Sequence, residues 1–250
     1  MTQDLFRQDA YLRECSAHIT AVTDAGIVLD QTVFYPLGGG QAGDSGVLVL
    51  ADGAQITIGD TRKAKDADGN PTSDIVHVPA PGQEDRVAQL TPGTTVTARI
   101  DWERRHRMMR LHTTSHLLCH VVPQLVNGCS ITPDYARLDF AMTDPLDKEQ
   151  LTAAIATLVA AAHPLTVASI SDEELDANPA LVKSMSVQPP RGTGRIRTIR
   201  IGGEGGAPLI DLQPCGGTHV ANTSEIGGIV VTKIEKKSAT TRRVVLGFAQ

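Results

Sequence analysis

Asp101-Trp-Glu-Arg-Arg-His-Arg-Met-Met-Arg-Leu-His-Thr-Thr-Ser-His-Leu-Leu-Cys-His-Val-Val122 is the stretch at which this chain changes character. Before it, apolar residues come in short runs broken by polar turns. Within it the spacing shifts toward a helical period, which predicts a helix over residues 103–122. His112 and His116 then share one helical face and can aim at one point. Cys119, about 20° round the helix from His112, and His120, about 80° round, add further candidate ligands. Cys119 reads equally well as a small buried hydrophobe.

Upstream, residues 18–22, 26–34, 46–50, 55–59, 75–78 and 94–100 are apolar runs separated by turns such as Asp52-Gly53, Asp68-Gly-Asn-Pro71 and Pro92-Gly93. Short runs punctuated in this way predict a small antiparallel β-barrel or sandwich over residues 1–98. Downstream come a hairpin-like segment at 129–142, an Ala/Leu-rich helix at 147–162 and a strand at 165–170. A polar, Pro-rich loop at 172–194 leads to strands at 196–201, 209–212, 228–233 and 242–248. Helices against an antiparallel sheet make residues 99–250 an α+β domain.

The second motif, Cys215-Gly-Gly-Thr-His219, follows the strand-like run Leu209-Ile-Asp-Leu212, which breaks at Pro214. The glycines let the backbone fold tightly, so Cys215 and His219 can turn toward one metal. Three imidazoles and a thiolate suit Zn²⁺. With 8 His in 250 residues, chance supplies roughly a quarter of a His-x₃-His pair per chain, so the weight lies on the two motifs together.

Composition bounds the rest. At 250 residues and 41% hydrophobic, the chain can bury a core and form one or two domains. Its 4 Cys, at 15, 119, 129 and 215, form no disulfide framework. The N-terminus lacks a secretion signal and no run approaches a membrane span, so a cytoplasmic protein with no membrane partner is expected. No obligatory protein partner is evident. Net charge is −5, but residues 1–100 carry −6 and residues 181–250 carry +6. Arg104, Arg105, Arg107 and Arg110 precede His112, where cations oppose the helix dipole. Phosphate contact would explain them; a solvated helix face paired with Glu103 is the plainer reading.

Five segments, in order, resemble the free-standing alanyl-tRNA editing proteins, which are similar to the editing domain of alanyl-tRNA synthetase. Phe34-Tyr-Pro-Leu-Gly-Gly-Gly-Gln-Ala-Gly-Asp-Ser-Gly46 resembles the family's glycine-rich motif. Asp101-Trp-Glu-Arg-Arg105 leads into His112-Thr-Thr-Ser-His-Leu-Leu118, and Ala136-Arg-Leu-Asp-Phe140 follows. Asp211-Leu-Gln-Pro-Cys-Gly-Gly-Thr-His-Val-Ala-Asn-Thr-Ser-Glu-Ile-Gly227 is the longest match, and Arg242-Arg243 close it. The resemblance implies an α+β editing domain of the threonyl/alanyl-tRNA synthetase type behind the barrel. It implies an ATP-independent hydrolase serving translation fidelity, acting on the acceptor end of mischarged tRNA(Ala). Ser-tRNA(Ala) is the first expected substrate and Gly-tRNA(Ala) the second. One zinc ion on His112, His116, Cys215 and His219 would form the catalytic centre. The start at Met1 and the lack of an aminoacylation-type segment predict a free-standing protein rather than a synthetase fragment.

Zinc can polarise an ester carbonyl and lower the pKa of water to about 7. Four protein ligands would fill a tetrahedral shell, whereas catalytic zinc keeps a position open, so three firm ligands with the fourth close by are expected. Asp211 is a candidate orienter of a zinc-bound His, or else an exposed strand residue. The Gly38-Gly39-Gly40-Gln41 loop lacks the Lys-Ser/Thr ending and following helix of a phosphate-binding loop. Alone it reads as a tight turn. By resemblance Gly39 and Gly40 let a nucleotide approach, with Gln41 as hydrogen-bonding group. A pocket for alanine cannot strongly reject serine, so a second sieve is needed with a polar group that binds the serine hydroxyl. Thr113, Thr114, Thr218 and Asn127 are the candidates, and Asn127-Gly-Cys-Ser130 departs from the family pattern. Arg104, Arg105, Lys236, Lys237, Arg242 and Arg243 are the expected tRNA backbone contacts. A non-catalytic tRNA-binding module with structural zinc is the rival reading.

Overall fold

The computed structural model describes residues 1–189, 194–203 and 205–249. The architecture is mixed α+β and mostly strand. The chain divides into two compact units: residues 1–38 with 42–106, and residues 39–41 with 107–250. No helix among the described residues is long and apolar enough to cross a membrane.

The first unit contains β1 (Gln3–Asp4), α1 (Leu5–Gln8), β2 (Glu14–Thr23), β3 (Gly26–Leu29), β4 (Gln31–Thr32) and β5 (Gly46–Leu50). It continues with β6 (Gln55–Lys65), β7 (Pro71–Pro79), α2 (Glu84–Val87) and β8 (Thr95–Ile100). Six strands pair in the closed cycle β2-β3-β7-β6-β5-β8, each pair antiparallel. The period-2 pattern sets the inner face: Val96, Ala98 and Ile100 of β8 are buried while Thr95 and Arg99 face out. Ile19, Ile27, Leu29, Leu48, Ile56 and Ile58 join them in the core, each contributing roughly 1.5–3 kcal/mol by burial. β6 and β7 run beyond the apolar stretches 55–59 and 75–78, because main-chain pairing continues where side chains are solvated. Asp66 closes their hairpin by accepting from the Asp68 and Asn70 amides at 3.0 and 2.8 Å.

The next helix, α3 (Trp102–Val121), starts in this unit. Its Arg105 is fully buried. The guanidinium pairs with Asp44 and donates to the Ala10 and Val33 carbonyls at 2.9 and 2.7 Å. The expectation of a phosphate contact at Arg105 is therefore corrected: its donors are spent on Asp44 and on main chain, away from solvent. Asp44 also accepts from the Tyr35 amide at 2.6 Å, so the end of the glycine-rich motif serves this lock.

In the second unit, residues 111–119 of α3 are all buried, so the helix has no solvent face there. Its hydroxyls are satisfied internally: Thr114 and Ser115 donate back to the Arg110 and Leu111 carbonyls at 2.8 and 2.9 Å. Next come β9 (Val126–Ile131), β10 (Tyr135–Ala141), α4 (Lys148–Ala160), β11 (Leu165–Ile170) and α5 (Asp172–Ala177). The last strands are β12 (Ile196–Gly202), β13 (Leu209–Pro214), β14 (Ile229–Ser238) and β15 (Thr241–Phe248). One sheet runs β14-β15-β10-β9 and another β11-β12-β13. α4, capped by Asp147, meets β14 where Thr152 accepts from the Val231 amide at 3.0 Å.

α5 lies inside the stretch expected to be loop. It is started by a capping box, Ser171 accepting from the Glu174 amide while Glu174 accepts from the Ser171 amide. Ser-x-x-Glu is visible in the sequence, but the apolar run after it is too short to register as a helical period. Residues 190–193 of the expected loop lie outside the described residues.

Candidate metal centre

α3 presents His112 and His116, and the turn after β13 presents Cys215 and His219. Their ligand atoms all lie within 4.8 Å of one another. The Cys215 Sγ is 3.5 Å from His112 Nε2 and 3.4 Å from His219 Nε2. Donors around a tetrahedral Zn²⁺ sit about 3.3–3.8 Å apart, and the two Cys215 Sγ distances fall in that range.

Each imidazole is aimed by a partner on Nδ1. Gln41 Oε1 accepts from His112 Nδ1 at 2.8 Å and from the Thr218 amide at 3.0 Å. The Gln41 Nε2 donates to Thr218 Oγ1 at 2.8 Å, so one amide ties the glycine-rich loop to both motifs. Asp211 accepts from His116 Nδ1 at 2.8 Å. Thr113 Oγ1 lies 3.2 Å from His219 Nδ1 and accepts from the Val220 amide at 3.3 Å. With Nδ1 engaged, Nε2 of every ring is left for an ion.

The turn is shaped for this. A Cβ on Gly217 would lie 2.1 Å from His112 Cε1, so no side chain fits. The Gly217 amide donates to Cys215 Sγ at 3.4 Å, favouring a thiolate. Arg197 clamps the turn by donating to the Cys215 and Gly217 carbonyls at 2.5 and 3.1 Å. Sequence reading missed Arg197, because only the β12–β13 register, which pairs Thr198 with Pro214, brings it beside Cys215.

Electrostatics separate the groups. Burial pushes the Cys215 thiol up, but His112 and His219 outweigh it and hold the thiol well below its ordinary range. Burial holds His219 well below the usual imidazole value, with His112 adding to the effect. Burial also opposes charge on His116, yet the bond to Asp211 raises it to about 9. A metal must displace that proton, so its binding is coupled to pH. Cys119 is buried and pushed up to about 12, which keeps it a thiol, and His120 is exposed. The surplus candidates on α3 thus stay outside the centre.

Residues 196–245 match the family model described as "Threonyl and Alanyl tRNA synthetase second additional domain", and residues 7–104 match "tRNA synthetases class II (A)". The chain is 32% identical over 248 residues to the alanyl-tRNA editing protein AlaX-M of Saccharolobus solfataricus, covering 98% of both chains. It belongs to the alanyl-tRNA editing protein family. The AlaX-M protein of Methanosarcina acetivorans is also 32% identical, again over 98% of each chain. The alanine–tRNA ligase of Metallosphaera sedula is 34% identical over 94% of this chain, but over only 25% of its own length.

Within this member of the family, the other expected residues fall into distinct places. Gly39 and Gly40 have φ of +58° and +85°, and a Cβ on Gly40 would meet Cys129 Sγ at 2.3 Å. These glycines are required by backbone conformation and by contact with β9. Thr113, Thr218 and Thr114 are buried; the first lies beside His219 Nδ1, the second bonds Gln41, and the third bonds back along its helix. Asn127 is exposed and donates to Thr241 at 3.4 Å. Asp211 is buried rather than exposed. Arg104 is half-buried and donates to the Gly43 carbonyl at 3.2 Å. Arg243 makes two bonds to Asp139 at 2.7 and 2.8 Å. Arg242 is buried, donating to the carbonyls of Ser238, Thr241 and Thr143. Lys236 and Lys237 of β14 are exposed.

Proposed function

We propose that this chain is a trans-editing deacylase that hydrolyses Ser-tRNA(Ala), with Gly-tRNA(Ala) as a further substrate. One zinc ion held by His112, His116, Cys215 and His219 is its centre. The observation that carries this reading is the convergence of four donors, each imidazole already aimed by its Nδ1 partner. It occurs in a chain that matches AlaX-M end to end.

When bound, zinc supplies Lewis acidity toward the ester carbonyl and toward water. The protein supplies the rest. Gln41, Asp211 and Thr113 hold the rings, so no reorganisation of the ligands is needed as charge develops. Hydrolysis breaks the acyl C–O bond, with water giving its hydroxyl to the carboxyl carbon and a proton to the ribose oxygen. Gly39 and Gly40 are proposed to meet the terminal ribose through their backbone beside Gln41, the Cβ side of Gly40 being filled by Cys129. Thr113, Thr218 and Asn127 are the proposed substrate contacts, and the mischarged acceptor end is the proposed partner. Arg104, and separately Lys236 and Lys237, are the proposed phosphate contacts.

Four protein donors are also the coordination of a structural site, which favours a second reading as a zinc-stabilised tRNA-binding module. Deacylation of Ser-, Gly- and Ala-tRNA(Ala) by zinc-loaded protein and by Cys215→Ala separates the two. Editing predicts hydrolysis of Ser-tRNA(Ala), sparing of Ala-tRNA(Ala), and a loss on the order of a hundredfold or more in the variant. Folded, zinc-loaded protein that binds tRNA(Ala) and hydrolyses none of them would establish the module instead.

A further inference from the structure

We propose that Lys183 is a positioning residue of the metal centre, one that fixes Asp211, and through it His116, and so sets the affinity for the ion. The inference rests on the metal-centre reading above. Asp211 is only 2% exposed, and its two oxygens are divided between different duties. Oδ2 accepts from His116 Nδ1 and from Gln213 Nε2, both at 2.8 Å. Oδ1 accepts from Lys183 Nζ. Lys183 is thus what holds the carboxylate from the side not facing the histidine. A buried carboxylate left with one empty oxygen is free to rotate about its Cβ–Cγ bond, and its charge loses the nearest cation.

The lysine is itself anchored, which sets it apart from a loose surface ion pair. Its carbonyl accepts from the Val126 amide at 2.8 Å, and the Met185 amide returns a bond to the Val126 carbonyl at 2.8 Å. This forms a parallel bridge between residues 126 and 184 at the start of β9. Its side chain is 25% exposed, so the ammonium is drawn inward from a fixed base. Groups that hold a metal-bound histidine change metal affinity or activity about 10–100-fold when removed. A residue acting one bond further out belongs at the low end of that range.

The test is zinc affinity, measured by competition with a chromophoric chelator. The proteins are wild type, Lys183→Met, Lys183→Arg, Asp211→Asn and the Asp211→Asn/Lys183→Met double variant, with circular dichroism to confirm folding. Lys183→Gln replaces the Met variant if the latter does not fold. The expected result is affinity weakened about tenfold in Lys183→Met and restored toward wild type in Lys183→Arg. In the Asp211→Asn background Lys183→Met should add nothing, because its route to the ion is already cut. A folded Lys183→Met with wild-type affinity would overturn the proposal, as would a full tenfold loss on top of Asp211→Asn. Wild-type protein that binds no zinc would remove the metal-centre reading and this proposal with it. Failure of the lysine variants alone would leave that reading standing.

Discussion

His77 in the first unit and His112, His116 and His219 of the second are buried to nearly the same degree, 0% exposed against 5–6%. Their chemistry is nevertheless opposite. The Ile27 carbonyl lies 3.1 Å from His77 Nδ1 and can only accept, so Nδ1 carries the proton. Nε2 then accepts from Thr32 Oγ1 at 2.8 Å, and that hydroxyl accepts from the Phe34 amide at 3.1 Å. Both nitrogens are used, and the ring stands edge-on to Phe34 with centroids 5.0 Å apart. Burial holds His77 down at about 4, so it is a neutral core residue. In His112, His116 and His219 Nδ1 is engaged by a partner outside the donor set, and the remaining ring nitrogen faces the other donors of the set. A buried histidine can serve as a ligand where one nitrogen is held from outside the donor set and the other faces into it.

The largest expected effect breaks the second half of this contrast. Gly217→Ala forces a methyl into the His112 ring, 2.1 Å from Cε1. It should lower zinc affinity on the order of a thousandfold in chelator competition, while leaving the thermal stability of the first unit unchanged. Equal loss of both would mean that the glycine serves folding rather than the site.

The next effect tests the first half. His77 has its folded pKa lowered from 6.5 to about 4, so between those values the unfolded chain binds the extra proton. Stability from this residue is complete above about pH 6.5 and falls as pH drops toward 4, by about 3 kcal/mol. Urea unfolding of wild type against His77→Gln across that range should show the difference, with zinc content unaltered. A flat difference, or zinc lost with His77→Gln, would erase the distinction between the two kinds of histidine. The smallest effect sharpens it: Thr113→Val removes the oxygen beside His219 Nδ1 at nearly constant volume. Zinc affinity should fall about tenfold, and an unchanged value would show that His219 is aimed by packing alone.

Much of this was legible in the residues. The change of period at Trp102, the His-x₃-His pair and the Cys-x₃-His turn were local signals. So was the order of segments that relates the chain to the editing proteins. Asp211 could be suspected because it lies four residues before Cys215. Lys183, Gln213 and Arg197 could not, since each acts on a group brought near by strand register or by a bridge across the fold. Arg105 shows the opposite failure. Charge counting treated it as available for RNA, and only the fold reveals that Asp44 and two carbonyls engage it away from solvent.

Sequence alone determined which donors the chain owns, that strand gives way to helix near residue 102, and which family the order of its motifs resembles, because these depend on residue type and short-range spacing. Tertiary structure decided which nitrogen of His112, His116 and His219 faces the other donors, which cations face solvent, and that Gln41 reaches across 71 residues to His112. Those outcomes depend on desolvation and on hydrogen-bond partners distant in the chain, and neither is encoded at any single position.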